Sequence, residues 1–187
     1  MEQRTFEDPV LKQRLRFRRT TDVDGGPVLH VETWVDPGGG VTPHLHPDME
    51  ERFEVLEGRP SFLEGRKWRT ASPGETVVVP AGARHAYRND SDAPVHMVCR
   101  VRPPSTLQEF LEDTVALSRA GKINRLGLPR GLGGLLAGAI LAERYRDMVT
   151  LGFPPMPPPF VQRILFPRLA RVGERRGYRA GQFAQTV

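Results

Sequence analysis

A chain of 187 residues with 39% apolar content is long enough to bury one core of its own, and its single cysteine, Cys99, excludes an intramolecular disulfide. The net charge of +5 is unevenly placed: residues 1–103 hold 15 Lys+Arg against 16 Asp+Glu, residues 104–187 hold 12 against 6. Arg outnumbers Lys 24 to 3, a composition bias rather than a nucleic-acid footprint, so no nucleic-acid partner is expected.

Met1 to Val10 carries acids and no apolar run long enough for a secretory signal, which implies a cytoplasmic protein. From Val10 to Arg102 short apolar runs alternate with turn clusters such as Asp24-Gly25-Gly26-Pro27 and Asp36-Pro37-Gly38-Gly39-Gly40, the pattern of an all-β barrel or sandwich. The spacing predicts strands over Arg14–Thr20, Leu29–Val35, Arg52–Leu56, Thr76–Val79, His85–Arg88 and Val95–Val101. At Pro103-Pro104 the pattern changes. Ser105 with Gln108 has the form of a capping box, and Leu107, Phe110, Leu111 and Val115 recur at helical spacing up to Gly121. A second stripe starts at Leu132 and reaches about Val149. After the Pro-rich breaker Pro154–Pro159, a third runs from Val161 to Val172, with Pro167 expected to kink or interrupt it. The longest weakly polar stretch, Gly131–Ala142, has 12 residues, against about 20 for a membrane span, so no transmembrane segment is expected.

The chemistry concentrates between Gly38 and Gly58, where His44, His46 and Glu51 place three potential metal ligands within eight residues. Side chains at i and i+2 of a strand share a face, so both imidazoles can reach one ion. The same period separates Glu50, Arg52 and Glu54, a charged face for solvent, from Glu51, Phe53 and Val55. Glu51 therefore shares the apolar face, where a carboxylate is costly unless paired or metal-bound. Further on, Gly74, Pro80, Gly82, His85 and Asn89 form a second spaced set, in which Pro80-Ala81-Gly82 turns the chain and His85 shares its face with Tyr87.

The two stretches, separated by residues 59–73, resemble the two conserved motifs of the cupin superfamily at every defining position. The resemblance implies a small single-domain cupin: a jelly-roll β-barrel over residues 1–103, followed by an α-helical extension, residues 104–187, that the motifs do not describe. It also implies one divalent transition metal ion (Fe, Mn, Zn or Ni) held by His44, His46, Glu51 and His85. Three neutral imidazoles and one carboxylate leave such an ion a net charge of about +1 and two open positions in six-coordination.

These readings point to a metalloenzyme of oxygenase or isomerase type acting on a small oxygen-rich molecule that chelates the metal, with Glu51 as catalytic base. The competing class is a non-catalytic small-molecule-binding or sensor module. The stretch 160–179 joins an apolar stripe to six arginines and is expected either to pack on the barrel or a partner subunit, or to touch an anionic membrane peripherally. A homodimer is implied by resemblance only. Trp34 and Trp68 are expected to be packing residues, His30 and His96 structural or surface ones, and Cys99 buried and inert.

Overall fold

The computed structural model describes residues 4–152 and 156–181. In chain order its elements are β1 (Thr5–Asp8), β2 (Gln13–Thr21), β3 (Pro27–Val35), β4 (Gly40–Leu45), β5 (Glu50–Glu57), β6 (Ser61–Glu64) and β7 (Lys67–Thr70). There follow β8 (Thr76–Val79), β9 (His85–Arg88), β10 (Val95–Arg102), α1 (Leu107–Arg119), α2 (Gly131–Arg144), β11 (Thr150–Leu151) and α3 (Pro159–Arg175). One sheet has the order β1-β2-β3-β10-β5-β8, the other β11-β4-β9-β6-β7, and every pairing is antiparallel.

Period-two alternation forms the inner layer. β3 turns Leu29, Val31 and Val35 inward, β10 Val95, Met97, Cys99 and Val101, and β5 Phe53 and Val55. The outward positions carry ion pairs, such as Arg16 with Glu32 and Arg52 with Glu50, which contribute little at exposed sites. Phe53 bridges the layers, its ring 5.3 Å from Phe62 and 5.9 Å from Tyr87. Gly40 lets β4 come against β9: its φ is +147°, and a Cβ there would lie 2.4 Å from the Tyr87 carbonyl oxygen. Gly40→Ala is therefore expected to cost about 1–3 kcal/mol by overpacking, read as a lower midpoint of thermal unfolding.

The protein is not all-β. Three helices follow the barrel, α1 against β1, α2 against α1 and α3 against α2, and one core cluster joins Leu107, Val115, Tyr145, Met148 and Val149 to the sheet residues, so the hydrophobic core crosses the boundary at residue 103. The expected capping box does not form. Ser105 lies one residue too early, at φ +42°, while Thr106 is the cap residue, and Gln108 instead donates to Glu112 (2.9 Å) and accepts from Arg19 (3.0 Å). The second helix stops at Arg144, short of Val149. Tyr145 is buried with its hydroxyl donating to Asp113 (2.9 Å), and the following residues turn to place β11 along β4. Pro167 does not interrupt α3. Ala170 and Gly173 are buried, and a Cβ on Gly173 would meet Ile140 at 2.9 Å, so close packing on α2 offsets the bond proline cannot make. Pro154 and Pro155 of the expected breaker, and residues 1–3 of the N-terminal reading, lie outside the described residues.

Both tryptophans lie on outer faces rather than in the core. Trp34 stacks on His96 (4.7 Å) beneath Arg14 and Arg16, and Trp68 lies under Arg88. His30 bonds Thr20 at 2.9 Å and His96 lies 3.0 Å from Glu32. Among the described residues, no helix is long and apolar enough to cross a membrane.

Candidate metal centre

The structure brings His44, His46, Glu51 and His85 together, with one ligand atom from each lying within 4.8 Å of all the others. His44 on β4 and His85 on β9 are direct partners in an antiparallel ladder. A register shift between Val41 and His44 lifts Thr42 and Pro43 out of that ladder, and His46 follows just beyond the end of β4. Glu51 enters from the opposite sheet at the start of β5, 6% exposed, while Glu50 points outward and pairs with Arg52 at 2.7 Å.

Each imidazole is fixed by its other nitrogen. Nδ1 of His44 donates to the Thr42 carbonyl (2.9 Å), Nδ1 of His46 to the Met148 carbonyl (2.9 Å), and Nδ1 of His85 to the Ala83 carbonyl (3.0 Å). A carbonyl oxygen can only accept, so each proton sits on Nδ1 and each neutral ring turns an Nε2 lone pair towards the cluster. Gly82 N–H donates to the His46 carbonyl (2.7 Å), tying the turn before His85 to the first motif. None of these carbonyl partners was visible in the sequence, because a backbone atom has no residue signature. The Met148 partner lies 102 residues from His46, in the extension.

The fit to an ion can be tested on two atoms. Nε2 of His85 and Oε2 of Glu51 are 2.7 Å apart, yet both are buried without a hydrogen-bond partner of acceptable geometry. Two lone pairs that close repel unless a proton or a cation lies between them, and burial makes leaving them unpartnered costly. A shared divalent ion satisfies both, and the donor set of three imidazoles and one carboxylate suits a first-row metal.

Without an ion the electrostatics follow from the same closeness. Burial depresses His44, and the like charges of His85 and His46 add to this, bringing it to about 3. His44 keeps some accessible surface because it faces the internal cavity. Burial also lowers His46, against the opposing pull of Glu51. For Glu51 burial pushes upward, but the closeness of His85 and the positive charge that His85, His46 and His44 can carry outweigh it, to about 2. His85 is the exception: burial lowers it, yet Glu51 more than compensates and raises it above the ordinary imidazole range.

The remaining motif residues are structural. Asn89 donates to the Val35 (2.9 Å) and Ala93 (2.8 Å) carbonyls and accepts from Ser91, closing the turn after β9. Tyr87 O–H donates to Gln13 (2.7 Å). Cys99 is buried with its thiol 3.9 Å from Glu51, and burial followed by that carboxylate's charge pushes its pKa well up, which disfavours the nucleophilic thiolate.

The four residues line one end of a cavity of about 890 Å³. From the barrel Leu15, Val31 and Phe53 contribute to its wall. From the extension come Phe110, Leu111, Leu135, Ala139, Leu165 and Phe166. No residue pattern signals this chamber, since it depends on how the helices meet the barrel.

The structure is thus a two-sheet antiparallel barrel with a His₃Glu cluster, three of its four residues buried, that could hold a metal ion. The family model for the Cupin domain matches residues 32–101, and the chain carries a cupin domain with a helical C-terminal extension. An uncharacterized protein of Aquifex aeolicus (strain VF5) is 31% identical over 90 residues, covering 48% of this chain and 58% of that relative's length. Among solved structures, the cupin domain of an XRE-family transcriptional regulator from Enterobacter cloacae is similar at 26% identity, covering 50% of this chain and 98% of that one, with a TM-score of 0.42. The DMSP lyase DddQ from Ruegeria pomeroyi is similar at 25% identity over 49% of this chain and 48% of that one, with a TM-score of 0.40.

Proposed function

We propose that this protein binds one divalent transition metal through His44, His46, Glu51 and His85, and is a metal-dependent enzyme of oxygenase or isomerase type. Its substrate would chelate the metal through oxygen atoms. The observation that carries this reading is the convergence of three backbone-fixed Nε2 lone pairs and one carboxylate at the inner end of a cavity large enough for a ligand. When bound, the metal supplies Lewis acidity and, for iron or manganese, oxygen chemistry.

The chain's own residues supply orientation and proton handling. The three carbonyl contacts hold the rings in one tautomer. Glu51 is the candidate base because it is the one carboxylate of the cluster, and its Oε1, 3.9 Å from His46 Nε2, is the oxygen farther from His85. Elemental analysis of the purified chain, followed by oxygen uptake with catechols, flavonoids and thiols and by isomer interconversion assays, tests the proposal. One ion per chain with turnover supports it. A metal-loaded chain that turns over nothing across the panel would leave a binding module instead.

A second reading concerns α3. Its solvent side carries Phe160 (68% exposed) and Ile164 (57%) in the first turns, and Arg168, Arg171 and Arg175 after them. That sequence of apolar and then basic residues suits an anionic bilayer surface. The expected outcome is co-sedimentation with anionic vesicles at low salt and release at high salt; no binding at low salt disposes of it.

A further inference from the structure

We infer that the ligand of this cavity is a largely apolar molecule with its oxygen atoms confined to one chelating end, and that the helical extension is the wall selecting its body. The inference rests on the metal-binding reading of the inner end, and it replaces a small oxygen-rich molecule with an amphipathic one. Native interiors hold few voids larger than a water molecule, so a chamber of about 890 Å³ is a binding space rather than a packing defect.

The polar groups on its wall decide the ligand's chemistry. Away from the metal ligands most are already committed inside the protein. Oδ1 of Asp8 accepts from Leu11 N–H (2.8 Å), Val10 N–H (3.0 Å) and the Ser118 hydroxyl, so that only its Oδ2 is left buried without a partner. Tyr87 donates to Gln13, and the Thr114 hydroxyl donates to the Phe110 carbonyl (2.8 Å). Gln162 donates to the carbonyls of Leu151 (2.9 Å) and Pro157 (2.7 Å). A sugar-like body would bring many hydroxyls into this space and leave them without partners, a penalty on each buried group. An apolar body meets Phe110, Leu111, Leu135, Leu165 and Phe166 without that penalty. The charged lining residues Arg146, Asp147 and Arg163 are exposed, so the chamber reaches solvent beside them, away from the buried metal ligands.

The test measures binding, not turnover, on the full chain loaded with metal. n-Alkyl hydroxamic acids from two to twelve carbons are titrated beside the matching n-alkanols, which lack the chelating head. Affinity for both series is expected to rise about fourfold per methylene until the chamber is full, with the hydroxamates offset to tighter binding by the metal. Ala142→Trp, which fills the chamber from α2, should flatten the rise while leaving metal content unchanged. Leu111→Gln, a change of similar volume that adds a polar group, should reduce the slope and serves where the tryptophan variant does not fold. A flat response to chain length in metal-loaded protein overturns the inference and leaves the metal reading standing. A chain that holds no metal yet binds longer alkanols more tightly sinks the metal reading and supports the apolar chamber.

Discussion

Exchanging both His44 and His46 for alanine is expected to reduce bound metal from one ion per chain to none, with the barrel still folded. Each substitution removes an Nε2 donor from the cluster, and two remaining ligands cannot hold a first-row ion against competing water. The loss should also appear as stability. An ion present at a thousand times its dissociation constant stabilises the native state by about 4 kcal/mol. At about 2–4 °C per kcal/mol for a chain of this size, the wild type should therefore melt well above the double variant in metal-containing buffer. In chelator the two should converge. Metal retained in full by the double variant would mean that the ion sits elsewhere.

Metal uptake is expected to release a proton, and the donor is His85. Its pKa lies above the ordinary imidazole value because of Glu51, so the metal-free protein holds a proton on Nε2, towards Glu51, to higher pH than a free imidazole does. His44, at about 3, is already neutral and contributes nothing to the release. Metal affinity should accordingly rise with pH through the His85 titration and level off above it. For folding of the metal-free chain the two rings act in opposite directions. Stability contributed by the His85–Glu51 pair is full below the unfolded imidazole value, about 6.5, and is lost as pH climbs through the raised folded value. His44, buried neutral, instead destabilises the fold as pH drops from about 6.5 towards 3. Calorimetric titration in two buffers of different ionisation enthalpy reads the proton count directly.

The other large effect concerns the extension. Deleting residues 104–187 is expected to abolish cooperative folding rather than release an independent barrel. The deletion strips Leu107, Val115, Tyr145, Met148 and Val149 from the shared core. At about 1.5–3 kcal/mol for each buried apolar side chain, the loss is on the order of the whole stability of a typical domain, about 5–15 kcal/mol. It also removes β11 from the edge of β4, and with it the carbonyl that orients His46. Circular dichroism and a denaturant titration of the truncated chain check this; a sharp transition with metal bound would show that the barrel stands alone.

How much of this was legible beforehand varies by element. Strands β3, β5 and β10 alternate cleanly over eight or nine residues because one face of each is core and the other solvent, and their period could be read directly. The same rule placed Glu51 inside and Glu50 outside, as the structure does. The bounds of β4 are hidden because Pro43 and the displaced register disguise its pairing, and β7 is hidden because all four of its residues are exposed and so show no alternation. β11 consists of two residues whose extended form depends on β4 beside it. The end of α2 was misplaced for a related reason: Met148 and Val149 continue the apolar pattern, but their burial serves the barrel edge and not a helix face. Periodicity reports that a residue is buried, not which element buries it.

The hydrogen bond from His46 to the Met148 carbonyl has a consequence for how this tail can vary. All twenty amino acids carry the same carbonyl oxygen, so the tie between extension and metal centre is indifferent to which side chain stands at position 148 and sensitive only to where the chain passes. A conservative exchange such as Met148→Leu leaves that oxygen in place. Removing a single residue between Arg146 and Thr150 would slide it out of line with the ring, even with every ligand intact. Substitutions that keep Met148 and Val149 apolar can therefore accumulate in this segment while insertions and deletions cannot, and a comparison of tails would need to weigh length above identity.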